Sequence, residues 1–145
     1  MNRHAALTAT IFLATALGAT SASAASKSWT VNMTGSVEVP GPGSPKGTGT
    51  ANVSVDDAAN KVCASIEVTG LDQATMAHVH SGAAGAAGPV VVMLTTPGAD
   101  GKGSGCVPVP HDVAVAILAN PASYYVNVHT TAFPKGALRG QLPGS

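Results

Sequence analysis

Hydrophobic and polar residues alternate along most of the chain. From Ser28 to Val39, Trp29, Val31 and Met33 fall on one parity and Thr30, Asn32 and Thr34 on the other. Successive side chains of a strand point to opposite faces, so this pattern predicts a half-buried strand. Gly35 is a candidate bulge or kink within it. The Pro/Gly-rich stretch from Pro40 to Gly47 cannot stay in a ladder and predicts a loop. Thr48 to Val55 alternates again with Ala51, Val53 and Val55 inward. After the turn residues 56–60, Lys61 to Thr69 returns with Val62, Ala64, Ile66 and Val68 on one face. Two alternating runs around a short polar turn predict an antiparallel hairpin.

The second half continues in the same style. Ala74 to His80 predicts a strand, and Gly82, Gly85 and Gly88 then mark a loop. Val90 to Leu94 is continuously apolar, which predicts a central strand buried on both faces. Residues 97–105 predict an exposed polar loop, followed by a short segment from Cys106 to Val109. Only His111 to Asn120 lacks alternation. It predicts one short helix near 111–120, with Asp112 as its cap and Asn120-Pro121 as its stop. Tyr124 to Thr130 and Ala137 to Leu142 predict the last strands, separated by a turn at 133–136. The fold class that follows is all-β: an antiparallel sandwich or barrel of about seven to eight strands.

Composition adds the compartment. Arg3 and His4 precede an apolar run from Ala5 to Ala19, and Ala22-Ser23-Ala24 reads as a small-x-small cleavage motif. Residues 1–24 therefore predict a secretory signal, leaving 25–145 as one β domain. The alternative is an uncleaved membrane anchor. Nothing later in the chain resembles a membrane span. Lys plus Arg number 7 and Asp plus Glu number 7, and charged residues are 10% of the chain. With no basic run, nucleic acid is excluded as a partner class. The expected compartment is periplasmic or extracellular. In an exported chain the even pair Cys63 and Cys106 suggests one disulfide, contributing roughly 3–4 kcal/mol by loop entropy. The rival role, a pair of thiolate ligands, lacks a C-x-x-C spacing.

The candidate chemistry lies in Ala77-His78-Val79-His80-Ser81-Gly82. Residues two apart on a strand share a face, so His78 and His80 project together, opposite Ala77 and Val79. His129 sits in a similar strand late in the chain. Three neutral imidazoles with an open position suit copper, or less readily zinc. Met76 shares the parity of His78 and His80, and a thioether there favours copper, especially Cu(I); packing filler is its other role. Glu38 is a possible oxygen ligand or hydrogen-bond partner, Asn127 a possible orienter of His129, and Arg139 an anion attractor or an ion-pair partner for Glu38. The competing reading holds no cofactor: the histidines brace loops by hydrogen bonds in a structural or protein-interaction domain. His111 reads as a surface or cap residue. Of Tyr124 and Tyr125, one packs in the core and the other covers the histidine face. No nucleophile elbow, carboxylate pair or phosphate loop is present.

Several stretches carry a family resemblance. Thr34-Gly35-Ser36-Val37-Glu38-Val39-Pro40, Ala77 to Gly82 with Gly88-Pro89-Val90-Val91, Asn120-Pro121 with Tyr124 to Thr130, and Phe133 to Leu142 together resemble the CHRD domain, named for chordin and found in many microbial exported proteins. The cysteines also fall where many bacterial members carry a pair. The resemblance implies an immunoglobulin-like β-barrel, distantly similar to Cu/Zn superoxide dismutase. In chordin such domains belong to an extracellular growth-factor antagonist; for stand-alone bacterial members the resemblance carries no activity. Dismutase-like enzymes also place a His-Val-His on a strand as copper ligands, the roles of His78 and His80 here, with His129 as the later copper histidine. The loop after Gly82, however, has no His or Asp before Asp100, so the zinc loop and bridging histidine are missing. A binding module for metal or for an extracytoplasmic protein is therefore expected ahead of a copper oxidoreductase.

Overall fold

The computed structural model describes residues 25–144; the expected signal segment, 1–24, lies outside the described residues. Eight strands form: β1 (Ser26–Thr34), β2 (Thr48–Asp56), β3 (Lys61–Thr69), β4 (Ala74–Ser81), β5 (Val90–Met93), β6 (Lys102–Pro108), β7 (Tyr124–Thr130) and β8 (Leu138–Gln141). One helix, α1 (His111–Ala119), precedes a 3-10 turn at Pro121–Ser123. The strands build a single antiparallel sheet, curled nearly into a barrel, in the order β5-β4-β7-β8-β1-β2-β3-β6.

The alternating residues do what their parity predicts. Trp29, Val31 and Met33 of β1, Ala51, Val53 and Val55 of β2, and Val62, Ala64, Ile66 and Val68 of β3 all enter one core. From the other side come Ala77 and Val79 of β4, Val126 and Val128 of β7, and Leu138. Such burial is the main driving force for folding. β8 joins the two halves: it pairs with β7 from Tyr125↔Gln141 to Val128↔Leu138, and with β1 at Thr34↔Arg139. Cys63 and Cys106 face each other across β3 and β6 and form a disulfide.

Four local expectations are corrected. The apolar run Val90–Met93 is an edge strand, not a central one. Val92 is buried, whereas Val90 and Met93 are exposed, so the run is apolar on both faces without being buried on both. Part of the expected 97–105 loop is strand β6, pairing with β3 from Lys102 onward. Its glycines conceal it in the sequence but serve close approach: a Cβ on Gly103 would lie 2.9 Å from Thr95 O. β1 ends at Thr34, so Gly35 opens a loop instead of bulging a strand. The loop folds back on Gly35, whose carbonyl accepts the amides of Glu38 and Gly43. Finally, the N-cap of α1 is Pro110; Asp112 lies in the first turn and accepts the Val113 amide at 3.0 Å. Asn120 does end the helix, its amide bonding Ala116 O before Pro121.

Candidate metal centre

β4 and β7 pair so that Met76 faces His129, His78 faces Asn127 and His80 faces Tyr125. Their alternate neighbours Ala77, Val79, Val126 and Val128 fill the core. The histidines therefore lie on the outer face of the sheet. His78 and His129 are nevertheless buried, because loops fold over that face.

Two backbone carbonyls set the imidazoles. His80 Nδ1–H donates to Gly88 O at 2.9 Å, and His129 Nδ1–H donates to Pro134 O at 3.0 Å. A carbonyl can only accept, so in each neutral ring Nε2 carries a free lone pair. His129 Nε2 lies 3.3 Å from His78 Nδ1. That is long for a hydrogen bond. It matches the edge of a tetrahedral site, where metal–nitrogen bonds of about 2.0–2.1 Å put ligand atoms about 3.3–3.4 Å apart. His80 Nε2 is buried with no hydrogen-bond partner. One nitrogen from each of His78, His80 and His129 falls within 4.8 Å of the others. A buried lone pair without a donor costs about 1–3 kcal/mol, a penalty that a cation at this point would remove.

Burial favours the neutral form of His78 and His129. Burial, reinforced by the neighbouring His129 and His80, lowers the pKa of His78 to about 4. Burial also lowers His129, against an opposing contribution from its bond to Pro134. Unprotonated rings are the form that ligates metal.

The surrounding residues divide into two groups. Tyr125 stacks on His80, rings 4.8 Å apart and 7° from parallel, and the Arg139 guanidinium lies 3.5 Å from the other partner of that stack, the Tyr125 ring. The Tyr125 hydroxyl accepts the Gly88 amide at 3.2 Å. Tyr125 thus covers the histidine face, while Tyr124 packs against the core. Gly88 is held closely enough that a Cβ there would run into Ser81 O.

Glu38 and Asn127 form the second group. Asn127 Nδ2 donates to Glu38 Oε2 at 2.6 Å and to Leu138 O at 3.3 Å. Asn127 therefore does not orient His129; Pro134 does. Nor do Glu38 and Arg139 form the anticipated ion bridge, since Arg139 donates to Ala83 O at 2.9 Å and to Gln141 Oε1 at 3.4 Å. The Arg139 charge still acts on Glu38. Burial raises the Glu38 pKa, opposed by its bond from the Val39 amide, by Arg139 and by Asn127. The hydrogen bonds of Glu38 go to Asn127 and Val39, not to a histidine. Met76 lies on the histidine face and is 41% exposed. His111 is exposed at the start of α1, its Nδ1 near Asp57 O and Asn60 Oδ1. A groove of about 750 Å³ runs along Gly35, Pro42, Pro45 and Phe133 and contains none of the three histidines.

Gly88, Pro134 and Met93 escape a reading of the sequence. The first two act through carbonyls, which every residue has. Met93 is hidden inside an apolar run, although its parity opposite Val92 and Leu94 is the available signal.

The family model described as CHRD domain matches residues 29–142, a span that contains every strand of the site. No curated protein and no solved structure matches the chain.

Proposed function

The chain belongs to the CHRD domain family, and we propose that it is an exported binding module holding one copper ion, or less readily zinc, through His78, His80 and His129. The observation that carries this reading is the convergence of one nitrogen from each ring within 4.8 Å, with His80 Nε2 buried and unpartnered. The Gly88 and Pro134 carbonyls fix two of the tautomers, a device typical of histidine ligands. Three nitrogens leave a position open for a fourth ligand, which suits storage or delivery of the ion. The disulfide supports an oxidising compartment, periplasmic or extracellular.

The test is Cu(II) titration of the purified protein followed by spectroscopy. One equivalent should bind, and His78→Ala should weaken it about 100-fold or more. Unchanged affinity in His78→Ala would sink the metal site.

A second reading draws on the same bonds. His80 holds the loop at Gly88 and His129 holds the loop at Pro134. On that reading the histidines brace the loops of a protein-interaction domain. It requires that the histidine variants lose stability with no change in copper binding.

A further inference from the structure

Two residues of the histidine face lie outside the three-histidine site. The chain has 4 methionines. Met1 is the first residue, and Met33 is a core residue at 1% exposure. The other two, Met76 and Met93, both stand on the histidine face. Met76 pairs across β4–β7 with His129, and Met93 pairs across β4–β5 with His78. The Leu94 amide bonds Ala77 O, which makes His78–Met93 a non-hydrogen-bonded pair, the kind whose side chains approach most closely. Met76 is 41% exposed and Met93 is 57% exposed. An apolar side chain on an open face gains little from packing there, so core filling does not account for this pair.

We propose that Met76 and Met93 are a thioether gate that makes the centre an acceptor of Cu(I), an inference that rests on the histidine site described above. Thioether sulfur is a soft, neutral donor that selects Cu(I) over Cu(II) and zinc. Met76 lies two residues along β4 from His78 and across from His129, and Met93 lies across from His78 on the edge strand β5, where solvent has access. An ion reaching these exposed residues engages the neighbouring imidazoles by ligand exchange. A copper–sulfur bond forms as one bond to a soft-donor carrier breaks; imidazole nitrogen then displaces the carrier's remaining donor, and thioether sulfur stays on the ion. The ion stays Cu(I) throughout, so no electron donor is required. The substrate class is thus a Cu(I) complex of a weak thioether or thiol carrier.

Anaerobic competition against a chromophoric Cu(I) chelator tests this with the purified protein and its Met76→Leu/Met93→Leu variant. Leucine keeps the volume and removes the sulfur. The double variant should lose about tenfold or more in Cu(I) affinity while its Cu(II) affinity stays within about twofold. X-ray absorption of the Cu(I)-loaded protein should show a sulfur shell that the variant lacks. Unchanged Cu(I) affinity with no sulfur shell, alongside histidine-dependent Cu(II) binding, would overturn the gate and leave the histidine site standing. Failure of the unaltered protein to bind either ion would overturn both.

Discussion

His78 is 5% exposed, and its pKa is lowered to about 4 from an ordinary value of 6.5. Between those values the unfolded chain takes up a proton that the folded chain refuses. Stability linked to His78 is therefore fully present above about pH 6.5 and is lost as pH falls toward 4. The His129 shift has the same sign. Glu38 has the opposite one: its pKa is raised from 4.5, so its contribution is present below that value and fades as pH rises through the folded pKa. Urea denaturation of the metal-free protein at pH 7 and pH 5 should show a loss of stability at the lower pH that is about 1–2 kcal/mol smaller in His78→Gln, His129 supplying what remains. An equal pH slope in both proteins would contradict the burial of a neutral imidazole. At this scale the sequence was informative about residue type and parity. His78 and His80 had to share a face because they are two apart. Which ring nitrogen is free could not be read, because Gly88 O and Pro134 O decide it, and a carbonyl acceptor has no side-chain signature.

The elements carry these residues through two strands and the loops laid over them. β4 and β7 supply all three histidines, and the turn before β8 supplies Pro134. That turn depends on Gly136, whose φ is +139 and whose missing Cβ leaves room for the Glu38 carboxylate and, at 2.7 Å, for Asn127 Nδ2. Gly136→Ala should cost about 1–3 kcal/mol, from backbone strain and displacement of the Glu38–Asn127 pair. Gly85→Ala is the control. Gly85 also has positive φ, at +79, but nothing lies within 4 Å of its added Cβ, so only strain of about 1–2 kcal/mol remains. If Gly136→Ala is no costlier than Gly85→Ala, the buried pair is not the reason for the glycine. Strands with strict alternation, β1, β2 and β3, were legible in the sequence. β5 was legible as a strand but not as an edge one, because a short apolar run looks the same at an edge as at the centre; β6 was hidden because glycines at close contacts look like loop residues.

At the scale of the whole molecule, the candidate site and the covalent staple occupy opposite ends of one sheet. The histidine strands lie beside the β5 edge, and the Cys63–Cys106 bond links β3 to the β6 edge. The disulfide, worth roughly 3–4 kcal/mol by loop entropy, ties the β6 edge strand to β3. Alternation and frequent Gly/Pro turns made the all-β class legible. The strand order was not, since parity says which face a residue takes but not which strand lies beside it. The meeting of His129 with His78 and His80 depends on β4 pairing with β7, across two intervening edge strands, β5 and β6, and the helix α1. The most direct test of that meeting is a crystal grown with copper and measured at the copper absorption edge. One anomalous peak about 2.0–2.1 Å from a ring nitrogen of each of His78, His80 and His129 is expected. No peak at these rings under saturating copper, with His78 Nδ1 still 3.3 Å from His129 Nε2, would contradict the metal centre and leave the histidines as braces.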